Sequence, residues 1–231
     1  MPKSEKDGSE SGIGRIDLDE RLVAQEGTFY FSGITALVRL PLEQVRRDRA
    51  QGLKTGVFIT GYPGSPLAGY DLQLERASSI LDQHGIVHFP ASSEERAATA
   101  LMGTQMLDDF PHERFDGVIG LWYGKGPGAD RSGDALKHGN FAGTSSNGAV
   151  VILSGEDHEA SSSTMPFQQD QAFIAAAMPI VAPASVEEIY TLGLQAIGLS
   201  RASRCWVALK LPTALCDSGS TFSVDAGRSQ S

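Results

Sequence analysis

The sequence predicts an α/β fold, a doubly wound and mainly parallel sheet of about six strands. Three observations predict it. Short apolar runs recur along the chain and are continuous rather than alternating, as in strands buried on both faces. Longer amphipathic stretches separate these runs. Strand-like and helix-like segments take turns, the order that βαβ units produce.

In order, the strand candidates are Val57 to Ile59, Ile86 to Phe89, Gly117 to Tyr123, Ala149 to Leu153, Met178 to Ala182 and Cys205 to Leu209. Between them, helices are expected over Leu67 to Gln83, Ser93 to Leu107, Asp130 to Asn140, Gln168 to Ala177 and Val186 to Ala202. An earlier helix, Thr35 to Gln51, packs outside this series. Pro41 either kinks it or marks its start, because proline lacks an N–H and clashes with the preceding turn.

The 231 residues suffice for one large α/β domain or two small ones. A net charge of −9 disfavours nucleic acid and anionic membranes as partners. Arg46, Arg47 and Arg49 form the one basic cluster and read as the end or solvated face of a helix. Met1 to Asp17 has no apolar core of a signal peptide, and no apolar run is long enough to span a bilayer, so a cytoplasmic location is expected. Cys205 and Cys216 are too few for a thiolate metal or iron–sulfur site and read as reduced structural thiols. Residues 1–20 and 217–231 are rich in Ser, Gly and charge and are expected to be disordered tails around one domain, residues 21–216.

Ligands of open parallel sheets bind beyond the carboxyl ends of the strands, so the loops there carry the candidate chemistry. The first is Gly61-Tyr62-Pro63-Gly64-Ser65-Pro66, a rigid turn in which Ser65 is placed to cap the following helix with Pro66 at its first position. From spacing alone it is a tight strand-to-helix turn, since no phosphate-binding pattern accompanies it.

The loop after the second strand contains Ser92-Ser93-Glu94-Glu95. Ser92 and Glu95 match a capping box, which gives Glu95 a structural task. Glu94 then shares a helical stripe with Ala97, Ala98 and Leu101 and points toward the packed side. Two roles fit it equally: a carboxylate held in a packed site, or a solvated acid that complements the helix dipole.

The third strand runs into a glycine-rich loop that brings Lys125, Asp130 and Arg131 to the carboxyl edge, with His138 and Asn140 on the next helix. These groups suit an anionic substrate. After the fourth strand come Glu156, Asp157, His158 and Glu159. No second histidine at ligand spacing and no nucleophile elbow accompany them, so they read as a polar loop at the mouth of the site.

Four runs together carry a resemblance: SGITALVRLPL from Ser32, GYPGSP from Gly61, SEERAATA from Ser93 and LWYGKGPGADRSGD from Leu121. The chain resembles, over nearly all of Glu26 to Leu211, the start of indolepyruvate:ferredoxin oxidoreductases, members of the 2-oxoacid:ferredoxin oxidoreductases. The resemblance implies a thiamine-diphosphate-binding fold of the pyrimidine type, in which Glu94 bonds the aminopyrimidine ring and promotes loss of the thiazolium C2 proton. It implies that Tyr62 and Pro63 lie against the cofactor and that Ser65, Lys125 and His138 face the substrate. The implied reaction is oxidative decarboxylation of aryl pyruvates to acyl-CoA, with coenzyme A and ferredoxin as partners in an oligomer. The sequence has neither a GDG segment nor a cysteine cluster. Mg²⁺, the diphosphate contacts and [4Fe-4S] clusters are therefore expected on partner domains or subunits. The alternatives are a non-catalytic assembly or regulatory domain, and a thiamine-dependent decarboxylase or transferase.

Overall fold

The computed structural model describes residues 19–110, 113–160 and 164–225. The elements begin with α1 (Glu20–Val23), β1 (Glu26–Ser32), α2 (Gly33–Ala50) and β2 (Thr55–Gly61). Next come α3 (Ala68–Arg76), α4 (Ser78–Gln83), β3 (Ile86–His88), α5 (Glu94–Thr104), β4 (Gly117–Lys125), α6 (Gly126–Arg131) and α7 (Gly133–Ala142). The chain continues through β5 (Ala149–Glu156), α8 (Asp170–Ala175), β6 (Ile180–Val181), α9 (Val186–Ser203), β7 (Val207–Pro212), α10 (Thr213–Cys216) and β8 (Gly219–Asp225). All but the last two positions of the expected N-terminal tail lie outside the described residues, as do Ser161 to Ser163 and residues 226–231.

All six expected strands enter one sheet, in the order β3-β2-β4-β5-β7-β6, with every neighbouring pair parallel. Helices cover both faces. Leu37 and Leu40 of α2, Leu74 of α3 and Ile197 of α9 pack with Ile59, Leu121 and Leu153 on one face. Ala98 and Leu101 of α5, Leu136 of α7 and Phe173 of α8 pack with Trp122 and Ile152 on the other. Because β2 leads outward to β3 while β4 leads the opposite way to β5, the winding reverses between β2 and β4. Ligands of such sheets bind at the carboxyl ends of the strands that flank this reversal.

The helix containing Pro41 starts well before it, at Gly33. The Ser32 side chain accepts from the Thr35 amide and the Thr35 hydroxyl accepts from the Ser32 amide, a reciprocal cap that fixes the start. Proline therefore lies in the helix interior and is not its first residue. The basic cluster is structural: Arg46 and Arg47 both bond the buried Glu43, at 2.6 and 2.8 Å. On the same helix, the buried Asp48 accepts two 2.9 Å bonds from Arg201 and one of 2.7 Å from the Thr55 hydroxyl, tying α2 to α9 and β2. The expected helix over Leu67 to Gln83 is interrupted at Ala77 and begins only at Ala68.

The C-terminal tail expected to be disordered is instead ordered through residue 225. Gly219–Asp225 pairs antiparallel with β1 over its whole length, from Ser32↔Gly219 to Glu26↔Asp225. The physical reason is the period-two pattern within its polar composition. Phe222 and Val224 alternate with serine and aspartate and turn inward, and the Phe222 ring stacks on Phe31 at 4.6 Å and approaches Tyr190 at 5.8 Å. This small sheet extends the core under α9. Phe222→Ala is expected to cost about 3 kcal/mol and to lower Tm by roughly 6 °C or more. Thermal unfolding of the purified variant checks this, and an unchanged Tm would show that β8 adds nothing to the domain.

Candidate functional site

Glu94 is the first residue of α5 and is buried, with Ala97, Ala98 and Leu101 on the same side of the helix. The cap is displaced by one residue from the expected register: Ser93, not Ser92, accepts from the Arg96 amide, at 3.4 Å. Ser92 instead accepts from the Arg96 guanidinium, and Glu95 is exposed. The capping box of Ser92 and Glu95 is thus not formed, because the chain stays extended through Ser93 (φ −159°, ψ 159°). The distinction between the two acids survives on other grounds, since position 94 faces the sheet and position 95 faces solvent.

Three groups converge on Glu94. Its carbonyl accepts from the buried Trp122 indole at 2.9 Å, which fixes the helix start to β4. Its carboxylate oxygens accept from Arg131 Nη2 at 3.1 and 3.2 Å. Gly128 lies directly over it, so that a Cβ there would stand 2.4 Å from Oε1. Glycine at 128 lets the α6 backbone lie against this carboxylate, which any side chain there would push aside.

On the opposite face of the sheet, the turn after β2 reaches the same edge. The Tyr62 amide donates to the Tyr123 carbonyl at 3.1 Å, one bond beyond the β2–β4 ladder. The Leu67 amide closes the turn onto the Gly64 carbonyl at 2.8 Å, with the Ser65–Pro66 peptide cis. This turn replaces the expected cap: the helix starts two residues after Pro66, and Ser65 is left half-buried in the turn. Tyr62 and Pro63 are exposed above it. The Lys125 stem packs on Gly64, where a Cβ would lie 3.2 Å from Cδ. One continuous segment therefore bridges the two halves: Lys125 rests on the Ser65 turn and Gly128, three residues on, rests on Glu94. Thr60, Ser132 and Ser154 bring buried hydroxyls that have no hydrogen-bond partner to the same end of the molecule.

Among the sequence candidates, the structure brings Glu94 and Arg131 together, and Lys125 with the turn carrying Tyr62, Pro63 and Ser65. His138 does not join them. Its exposed imidazole pairs with Asp134 at 3.5 Å and lines a cavity of about 390 Å³ between α7 and α8 with Phe141 and Ala176. Two residues on, Asn140 accepts from the Trp206 amide just before β7, so this part of α7 has returned to the amino edge of the sheet. Asp130 is exposed on α6.

The loop after β5 is more than a polar rim. Glu156 is fully buried and accepts from His158 at 2.8 Å and the Gln169 amide at 3.1 Å, with Lys210 3.4 Å away. Lys210 also bonds Asp170 at 2.7 Å, and this bond, the leading influence on Asp170, holds that carboxyl below its ordinary range. The network fastens α8 to β5 and β7. Its sequence signal was a lone lysine in the apolar run Val207–Pro212. Among the described residues, no group of three or more His, Cys, Asp or Glu side chains is arranged to hold a metal ion, and no helix is long and apolar enough to cross a membrane.

A further cluster, not anticipated from the sequence, stands under the Gly61–Pro66 turn. The Tyr123 hydroxyl donates to Asp71 at 2.7 Å, and His88 Nε2 lies 3.0 Å from that hydroxyl and 3.3 Å from Asp71. These residues come from α3, β3 and β4, so only the fold unites them. Burial lowers the His88 pKa, against the opposing pull of Asp71 and Glu75. A neutral imidazole is therefore favoured in the folded state. Its contribution to stability is complete above the ordinary value of 6.5 and is lost as pH falls through the lower folded value. His88→Gln is expected to flatten the decline of stability as pH falls from 6.5 to the lowered folded value. Urea midpoints across this window check it; parallel slopes for parent and variant would contradict it.

No protein-family model matches the chain, and no curated protein does. Among solved structures it is similar to the 2-oxoglutarate:ferredoxin oxidoreductase from Magnetococcus marinus, determined with 2-oxoglutarate, coenzyme A and succinyl-CoA bound. The TM-score is 0.59 at 14% sequence identity, covering 84% of this chain and 31% of that one. The chain thus spans about a third of the length of that relative, and what the two share is the α/β fold.

Proposed function

We propose that the chain is the pyrimidine-binding component of a thiamine-diphosphate-dependent 2-oxoacid:ferredoxin oxidoreductase of the indolepyruvate type. The observation that carries this reading is the Glu94 carboxylate, buried at the start of α5 on the side of the sheet's carboxyl edge where the winding reverses. A fold shared with a 2-oxoacid:ferredoxin oxidoreductase supports it, as do the motifs at Gly61, Ser93 and Leu121.

The residues fit an aminopyrimidine. A carboxyl group and a ring nitrogen can share one proton in a hydrogen bond that a low-dielectric site strengthens, and Gly128 brings no Cβ to crowd that acid. When bound, thiamine diphosphate supplies the carbanion chemistry needed to decarboxylate a 2-oxoacid. This chain's part is to hold and orient. Glu94 would give a proton to the ring nitrogen and take it back, which lets the ring's amino group shed a proton and then act as a base. Tyr62 and Pro63, exposed at the rim, pack against the cofactor. The Ser65 hydroxyl and the Lys125 ammonium, joined through the Gly64 contact, face the carboxylate of the substrate. Arg131 adds a second cation at this edge. His138 has no place in this arrangement.

Mg²⁺, the diphosphate contacts and the [4Fe-4S] clusters fall to partner domains or subunits, which pass electrons to ferredoxin, and coenzyme A receives the acyl group. Aryl pyruvates are the substrate class that the resemblance to indolepyruvate:ferredoxin oxidoreductases implies.

In the enzyme assembled with its diphosphate-binding partner, Glu94→Gln is expected to slow exchange of the cofactor C2 proton by about 100-fold or more. Glu95→Gln, at an exposed position, is expected to leave exchange unchanged and stability within about 0.5 kcal/mol. Proton exchange followed by NMR separates the two. Parent-like exchange in Glu94→Gln would remove the thiamine mechanism and favour an assembly role for the domain.

A further inference from the structure

Two of the molecule's arginine–carboxylate pairs contrast in build. Arg201 grips Asp48 with two nitrogens, each 2.9 Å from a separate oxygen, and its side chain is only 20% exposed. Arg131 reaches both oxygens of Glu94 with one nitrogen, at 3.1 and 3.2 Å, and its side chain is 65% exposed against 6% for Glu94. The first geometry is the two-bond fork that gives an arginine–carboxylate pair its strength and fixed orientation. The second is a single bifurcated contact, solvated on one side and open to screening by salt.

The exposed cation nevertheless stands between the buried acid and solvent. Arg131 is the last residue of α6, whose Gly128 backbone lies on the same carboxylate. This short helix is bounded by Lys125 and by Ser132, the residue before α7; Gly126, Gly128 and Ala129 are buried against the domain, while Asp130 and Arg131 at its end are exposed. Ser132 is buried, and its hydroxyl has no hydrogen-bond partner to hold the joint. A ring that hydrogen-bonds Glu94 competes with Arg131 for the same two oxygens.

We infer that Arg131 is a latch on the Glu94 site: its ion pair keeps α6 closed over the buried carboxylate, and it must release before an aminopyrimidine ring enters. The latch rests on the thiamine reading for its ligand, but not for its motion. It also gives the buried carboxylate a counter-ion for as long as no ring is present, as a buried charge requires. Arg131 is in this sense a gating residue that acts on Glu94, and it sets how fast the site loads.

Two measurements test this. In the full chain without cofactor, Arg131→Met keeps an apolar stem and removes the charge. Amide exchange of Gly126–Arg131 is expected to rise by about fivefold, the factor that an exposed pair of this kind supports. Arg131→Lys should restore part of the protection, and salt should speed exchange in the parent but not in Arg131→Met. In the assembled enzyme, loading of thiamine diphosphate with Mg²⁺ is followed by fluorescence of Trp122, whose indole bonds the Glu94 carbonyl. Loading should be faster in Arg131→Met by a similar factor. Equal exchange and equal loading in parent and variant would overturn the latch while leaving the thiamine reading intact. Faster exchange with no binding of thiamine diphosphate to any form would overturn the thiamine reading, and with it the ligand assigned to the latch, while the opening motion of α6 would stand.

Discussion

A parallel sheet covered on both faces has no solvent-facing side along its strands, and the rest of this molecule follows from that constraint. Through most of β2, β4, β5 and β7 the side chains must be apolar, and the strands read as Val, Ile and Leu runs for that reason. Polar groups collect where the strands run out: Thr60, Ser154, Glu156 and Lys210 all sit in the last residues of their strands. The reversal of winding between β2 and β4 then separates the loops at one point along this edge, and the Ser65 turn and Glu94 reach it from opposite faces. The candidate site is thus a product of topology, with Lys125 and Gly128 on one segment linking its two sides.

Neighbouring acids illustrate how sharply position sets role. Glu94 and Glu95 are chemically alike, and a one-residue shift of the helix start would exchange them. The extended Ser93 and the indole bond from Trp122 to the Glu94 carbonyl fix that register. A Trp122→Phe change would touch no catalytic group, yet it would loosen the contact that decides which carboxylate is buried.

Much of the sheet was legible in the sequence because short continuous apolar runs, too short for helices and bounded by turn residues, fit strands covered on both faces. All six strands followed from that pattern, and the inward stripe of Glu94 followed from helical periodicity. What remained hidden depended on distant pairing or on geometry at the scale of a single bond. β8 was obscured by its Ser, Gly and Asp content, although Phe222 and Val224 carry a period-two signal once β1 is there to receive it. The cap at Ser93 rather than Ser92 hinges on backbone angles that two adjacent serines leave undetermined. The Asp71, His88 and Tyr123 cluster unites three separate elements, so no spacing rule could have found it. His138 was misplaced for a related reason: it follows the glycine-rich loop in sequence, but α7 carries it away from the edge where that loop lies.

The pairing of β1 with β8 also sets how the domain responds to tension. Glu26 and Asp225 are partners, so a pull that separates these two residues meets the ladder at its outermost rung. The seven rungs would open in succession, each bearing the load alone, rather than sharing it as strands pulled lengthwise past each other would. The parallel sheet would feel force only after that fastening had parted. Mechanically, the domain is closed by a zipper whose slider sits at its own entrance.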